Sequence, residues 1–254
     1  MRTRVLACAI VGGAALLVGI AAPASAQVAA PQTHAHHVVY VPQHSNGRHA
    51  DIGGLRHGGF NQDGGNWSGY VATGSGFSSA SVDWTEPSVT CNSSNDLMAP
   101  WVGIDGYGSQ SVEQTGVQTD CSSGSPTYSA WYEMYPADPV YYNDPVSAGD
   151  QITSSVTTDG NGNYTLTLSD TTQGWTETTP ASYDGANASA EAIIESPTAA
   201  YPNFGSVNFS NFQINGQDAS SFSPTALDAS NSNGFEDHTS GLSGGGFSIA
   251  YEQE

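Results

Sequence analysis

Beyond residue 60 the chain alternates short apolar runs with turn residues. Residues 151–158 and 164–169 are rich in β-branched and aromatic side chains, and Asp159-Gly160-Asn161-Gly162-Asn163 separates them. That arrangement predicts a hairpin. In the second run Leu166 and Leu168 alternate with Thr165 and Thr167, the period of two of a strand with one buried face. Runs of the same kind lie at 67–72, 81–84, 98–104, 128–135, 191–195, 205–212 and 246–251. No stretch shows an amphipathic helix longer than two turns, and there is no internal repeat. Many short strands divided by turn signals predict an all-β domain, an antiparallel β-sandwich or jelly roll.

The first sixty residues have a different pattern. Arg2 and Arg4 precede an apolar stretch over residues 5–22, and Ala24-Ser25-Ala26 suits a signal-peptidase site. Residues 1–26 are therefore expected to be a signal peptide, and the protein to be secreted. Residues 27–60 hold six of the seven histidines (His34, His36, His37, His44, His49, His57) together with Arg48 and Arg56. A basic, His-rich stretch before an acidic body suggests a propeptide that binds its own body at neutral pH and is released in acid. Residues 61–254 form the expected β-sandwich domain, a monomer. No segment of that body is apolar enough to engage a membrane. With Cys8 in the leader, Cys91 and Cys121 remain as an even pair in an oxidising compartment, and a disulfide between them is expected.

Charge changes the picture further. The chain carries 24 acidic and 4 basic side chains, and residues 61–254 contain no Lys or Arg. Such a surface repels nucleic acid and anionic lipid. Acid denaturation needs cations left unbalanced when carboxylates are protonated, and this body has only His238 and one amino terminus to supply them. Halophile surfaces are dense in Asp and Glu, whereas this one is mostly Ser, Thr, Gly and Asn. The expectation is a protein that works in acid.

Several chemistries drop out. A Ser-His-Asp triad needs a body histidine, and only His238 is present; no histidine follows Gly241-Leu242-Ser243-Gly244-Gly245, although it matches G-x-S-x-G. The body lacks the ligands for a catalytic zinc, so no metal or cofactor is expected. Asp159 begins a segment like a calcium loop, but Tyr164 stands where such a loop needs Gly. No D-T-G or D-S-G pair marks an aspartic dyad. Carboxyl groups and amides remain. A carboxyl group can take a proton from water and return it to a leaving group. An amide can donate to a developing oxyanion.

Three segments in order, Trp101-Val102-Gly103-Ile104-Asp105-Gly106, Glu113-Gln114-Thr115-Gly116-Val117 and Ala130-Trp131-Tyr132-Glu133-Met134-Tyr135-Pro136, resemble the glutamic peptidases (eqolisins, family G1). Asn66-Trp67-Ser68-Gly69-Tyr70-Val71, Ala190-Glu191-Ala192-Ile193-Ile194-Glu195 and Phe204-Gly205-Ser206-Val207-Asn208-Phe209 extend the resemblance over about residues 66–212. It implies a concanavalin-like sandwich and an acid endopeptidase, insensitive to pepstatin, acting on protein or peptide substrates. It also implies a catalytic dyad of Gln114 and Glu133. Glu133 would activate water and then protonate the scissile nitrogen, while Gln114 would position the water and bind the oxyanion. Trp67, Trp101, Asp105, Trp131, Tyr135, Glu191 and Glu195 would support the site or bind substrate. Met134 stands where family members carry Trp, a change expected to alter a subsite wall. The Cys91–Cys121 pairing departs from the family's disulfide arrangement. Residues 213–254 match nothing in it, although 246–251 could add a final edge strand.

Strand alternation puts Trp131, Glu133 and Tyr135 on one face, with Tyr132 and Met134 on the other. A carboxyl group between aromatics also suits two other readings. One is a jelly-roll glycoside hydrolase using Glu133 with Glu195 or Glu113. The other is a secreted lectin without catalysis.

Overall fold

The computed structural model describes residues 59–253; the expected signal peptide and nearly all of the expected propeptide lie outside them. Strands dominate the described residues: β1 (Gln62–Asp63), β2 (Trp67–Thr73), β3 (Ser79–Thr85), β4 (Leu97–Asp105), β5 (Val112–Asp120), β6 (Thr127–Tyr135), β7 (Val140–Tyr141), β8 (Gln151–Thr158), β9 (Asn163–Asp170), β10 (Trp175–Ser182), β11 (Ser189–Glu195), β12 (Ser206–Ile214), β13 (Gln217–Asp218), β14 (Thr225–Asp228), β15 (Ser230–Asn231), β16 (Gly234–Phe235), β17 (Asp237–Thr239) and β18 (Phe247–Tyr251). A 3₁₀ turn, Ala219–Phe222, is the one helical element among them.

Two sheets form a sandwich. The first runs β1-β14-β2-β11-β4-β5-β6-β7, and the second β10-β9-β8-β3-β12-β18-β17. Pairing is antiparallel except between β1 and β14. The strands expected from the sequence are all present. The hairpin at 159–163 joins β8 to β9, and Asp159 accepts from Asn161 and Asn163 there. Three strands of four or more residues were not legible, nor were the six of two or three residues. β5 reads polar because it carries Glu, Gln and Thr, although the fold buries them. β10 contains Pro180, which an edge strand tolerates because that residue needs to donate nothing to a neighbour. β14 is short. One expectation is corrected: β18 is not an edge, since β17 pairs along its outer side.

One apolar cluster fills the space between the sheets, including Trp84, Val102, Ile104, Leu166, Leu168, Ile194, Phe209 and Phe212. A second, smaller one covers the outer face of the first sheet: Trp67, Val71, Ala99, Trp101, Val112, Trp131, Ile193 and Leu227. The central strands β4 and β11 are consequently buried at every residue. Met134, expected at a subsite wall, lies on the inner side and packs against the core between the sheets. The period of two that directs Glu133 outward directs Met134 inward. Cys91 and Cys121 are bonded, with Cα atoms 5.6 Å apart and 30 residues between them in sequence. This links the stretch after β3 to the end of β5.

Among the buried carboxyl groups of this sandwich, three are raised far above the usual carboxylate range. Burial pushes Glu86 up to about 8, although Trp84 Nε1 and Thr119 Oγ1 donate to it. Burial and then the charge of Asp105 push Glu113 to about 8. Asp237, which accepts from Ser68 Oγ and Ala229 N, is raised to about 8, again mainly by burial. Each folded value exceeds the unfolded one, so the folded state holds more protons between about pH 4 and 8. Their contribution is complete below the unfolded values and is lost as pH rises towards 8.

Thermal unfolding should therefore give its highest midpoint below about pH 4, falling steadily to pH 8. Each group would cost up to about 1.4 kcal/mol per pH unit in that window. Glu86→Gln should flatten the curve; a midpoint that is level or rises with pH would contradict this assignment. Replacing both Cys91 and Cys121 by Ser should lower stability by about 2–5 kcal/mol, read by urea unfolding at acid pH.

Candidate active site

Register on the first sheet assembles the site. Glu191 on β11 lies opposite Gly103 on β4, Gly103 opposite Gln114 on β5, and Gln114 opposite Glu133 on β6. Four strands thus place one amide and two carboxyl groups in a single cross-sheet row. Alternation brings Glu191, Gln114 and Glu133 to the same outer face as the smaller apolar cluster. The next row reads Ile193, Trp101, Gly116, Trp131 and Tyr141. The third pairs Trp67 with Glu195 and Glu195 with Ala99.

Two glycines make this packing possible. A Cβ on Gly116 would stand 2.2 Å from the Pro100 carbonyl oxygen and 2.7 Å from Trp101 Cβ. A Cβ on Gly103 would stand 2.8 Å from Trp101 Cζ3 and 3.2 Å from Gln114 Cβ. The Trp101 indole therefore folds back along its strand and lies over Gly103, between Gln114 and Glu191. Trp67 meets it edge to face, with centroids 5.0 Å apart.

Hydrogen bonding separates the two carboxyl groups. Gln114 Nε2 donates to Glu133 Oε2 at 2.6 Å, so the pair touches directly. Both oxygens of Glu191 are buried and have no hydrogen-bond partner among the described residues, as do Gln114 Oε1 and the indole N–H groups of Trp67 and Trp131. Burial, and after it the charge of Asp105, holds the Glu191 carboxyl well above the usual carboxylate range; Ser189 offsets this in part from nearby, without a bond of ordinary geometry.

The remaining expected residues fall around this row. Asp105 ends β4 with φ 68°, a left-handed conformation that Asp tolerates. Its carboxylate accepts from Asn187 N and Ala188 N, each at 2.8 Å, which ties the β10–β11 connection to the end of β4. Glu195 accepts from Asn66 Nδ2 at 3.0 Å and from Trp101 Nε1 at 3.2 Å. Tyr135, half-buried, lies opposite Val112 at one end of the apolar cluster. Glu113, a candidate partner for Glu133 in glycoside hydrolysis, is on the inner side of β5, one residue out of phase with Gln114. The sheet itself separates it from Glu133.

The sequence did not single out Tyr107, Tyr141 or Gln118. Tyr141 Oη donates to Gln118 Oε1 at 2.8 Å, and Gln62 Nε2 to Tyr107 Oη at 2.9 Å. None of the three lies within a segment that carried the resemblance: Tyr107 and Gln118 each follow one by a single residue, and Tyr141 is on the two-residue β7. Among the described residues no group of three or more His, Cys, Asp or Glu side chains is disposed to hold a metal ion.

Comparison with known proteins finds relatives in sequence and in fold. The chain is 31% identical to aspergillopepsin-2 of Aspergillus niger over 176 residues, covering 58% of this chain and 62% of that protein. It is 38% identical to scytalidopepsin B of Scytalidium lignicola over 111 residues, covering 43% of this chain and 41% of that one. The matches thus span less than two thirds of these relatives' own length. Among solved structures, scytalido-glutamic peptidase with a transition state analog inhibitor superimposes with a TM-score of 0.66 at 27% identity, over 74% of this chain and 99% of that one. The sequence pattern of the Peptidase A4 family matches residues 65–250, and the chain belongs to that family.

Proposed function

We propose that the protein is an acid endopeptidase that cleaves proteins or peptides on the outer face of its first sheet, outside the cell and after loss of residues 1–26 and a propeptide. The observation that carries this is the row Glu191–Gly103–Gln114–Glu133, one amide flanked by two buried carboxyl groups with no Lys or Arg among the described residues. Family membership and the structural likeness to a peptidase bound to a transition state analog inhibitor support the reaction class. The leader sequence and the disulfide support secretion.

The two carboxyl groups divide the work. The resemblance implies proton transfer by Glu133. Yet Glu133 is in contact with the Gln114 amide, which leaves no room for water between them. It fixes which way the amide points. Glu191 stands two strands from Gln114, about 10 Å at the backbone, with the Cζ3 edge of the Trp101 indole lying over Gly103 between them. A water resting on that edge can lie between Gln114 Oε1 and a Glu191 oxygen. Glu191 takes a proton from that water as its oxygen attacks the scissile carbonyl carbon. The second N–H of Gln114 donates to the oxyanion, as preorganised donors do in other acyl transfers. Glu191 then gives the proton to the leaving nitrogen, and the C–N bond breaks. Desolvation is the main reason Glu191 is raised, so water entering the row favours the ionised form that acts as base.

The test follows degradation of an unfolded protein from pH 2 to 7 with pepstatin present. The parent should cleave only in acid. Glu191→Gln should lose about 10²- to 10⁴-fold in kcat/KM, and Gln114→Ala about 10²- to 10³-fold. Glu133→Gln keeps an acceptor for the Gln114 amide and should lose less, about tenfold. A larger loss in Glu133→Gln than in Glu191→Gln would return proton transfer to Glu133. No cleavage by folded, processed parent would sink the peptidase reading in favour of glycan hydrolysis or binding.

A further inference from the structure

We propose that Glu195 is a positioning residue for this reaction, acting through Trp101. The inference rests on the peptidase reading above and adds a residue to it. Glu195 and Trp101 are both buried on the outer face, 1% and 0% exposed. One oxygen of Glu195 accepts from Asn66 Nδ2 and the other from Trp101 Nε1. The carboxyl group therefore fastens the nitrogen end of the indole to the stretch that leads into β2. The opposite edge of the same ring, at Cζ3, lies against Gly103 between Gln114 and Glu191. The indole is a rigid lever about as long as the gap between two rows of the sheet. Its far end forms the floor under the place where water and the scissile carbonyl must meet.

The chemistry at both ends is specific. The two donors facing Glu195 require two acceptor oxygens. A carboxylate supplies them, whereas a glutamine has one acceptor and sets its own N–H₂ against the other donor. At the far end only glycine leaves space for the ring. Trp67 closes the indole's side with an edge-to-face contact, so Glu195 decides where the ring lies along its own length. A ring shifted by about 1 Å would misplace the reacting groups, and such shifts cost up to about 10²-fold in rate. Glu195 transfers no proton in this scheme, so the pH limbs of the reaction do not belong to it.

Steady-state cleavage of a peptide substrate across pH 2–6 tests the assignment. The variants are Glu195→Gln, the milder Asn66→Ala, Trp101→Phe, and the double variant Glu195→Gln with Trp101→Phe. The parent and Glu191→Gln run alongside. Circular dichroism and the unfolding midpoint confirm that each protein is folded. Glu195→Gln is expected to lower kcat by about 10- to 100-fold with KM changed less than threefold and with unshifted pH limbs. Asn66→Ala should fall between Glu195→Gln and the parent. In the Trp101→Phe background, which has no indole N–H to hold, Glu195→Gln should add less than a twofold loss. A full additive loss in that background, a displaced pH limb, or unchanged kcat in folded Glu195→Gln would each overturn the proposal while leaving the peptidase reading standing. An inactive parent would overturn both.

Discussion

The central strands of the first sheet are buried on both faces, and most of what is distinctive here follows from that. β4 and β11 show no exposed residue, and β5 only a partly exposed final Asp120. The second sheet covers one face and an aromatic layer built from Trp67, Trp101 and Trp131 covers the other. Polar side chains on these strands must then be buried whichever way they point. Inward, Glu113 meets the core. Outward, Gln114, Glu133 and Glu191 fall into one row beneath the aromatics. A sheet with one wet face would have solvated them. Here they are held in an environment of low polarity, where a proton and an orientation both matter more.

That burial has an electrostatic cost which the composition answers. Carboxyl groups taken out of water resist ionisation, and Glu86, Glu113 and Asp237 are all raised to about 8. No lysine or arginine follows residue 60 to pair with them. In acid the groups are neutral and cost little. At neutral pH they would be either ionised in the wrong place or protonated at a penalty. The lack of basic residues and the burial of acids are two sides of one adaptation. The first removes the repulsion between cations that unfolds most proteins in acid, and the second makes acid the condition in which the fold is sound.

The fold was legible because β-sandwich strands leave a strong local trace. Alternation in 164–169 and the Gly/Asn turn before it marked a hairpin without any tertiary knowledge. The strands that escaped did so for tertiary reasons. Val112–Asp120 reads as polar because it carries Glu, Gln and Thr, and the neighbours that bury those side chains are not visible in the sequence. Trp175–Ser182 contains a proline that is harmless at an edge. The C-terminal strand was recognised, but its place inside the sheet depends on the three-residue β17, too short to be read. The site was legible in part. Motif order brought Gln114, Glu133, Trp101 and Glu195 forward. The relation between Glu191 and Gln114 was not legible, because they are 77 positions apart in sequence and meet only through the register of β11 on β4 and β4 on β5. The same applies to the Glu195–Trp101 contact. Parity along one strand was enough to send Met134 inward, away from the subsite wall expected of it.

The proposed reaction requires the water and the tetrahedral carbon to lie on the Trp101 edge that covers Gly103, between Gln114 and Glu191. The most direct measurement is a crystal structure of the processed protein, at acid pH, with a peptide analogue carrying a tetrahedral geminal diol in place of the scissile carbonyl. The expected result is one diol oxygen within hydrogen-bond distance of a Glu191 oxygen and the other within reach of Gln114 Nε2, with the Gln114–Glu133 contact kept. A diol bound to Glu133 with Gln114 turned away, and Glu191 untouched, would contradict it.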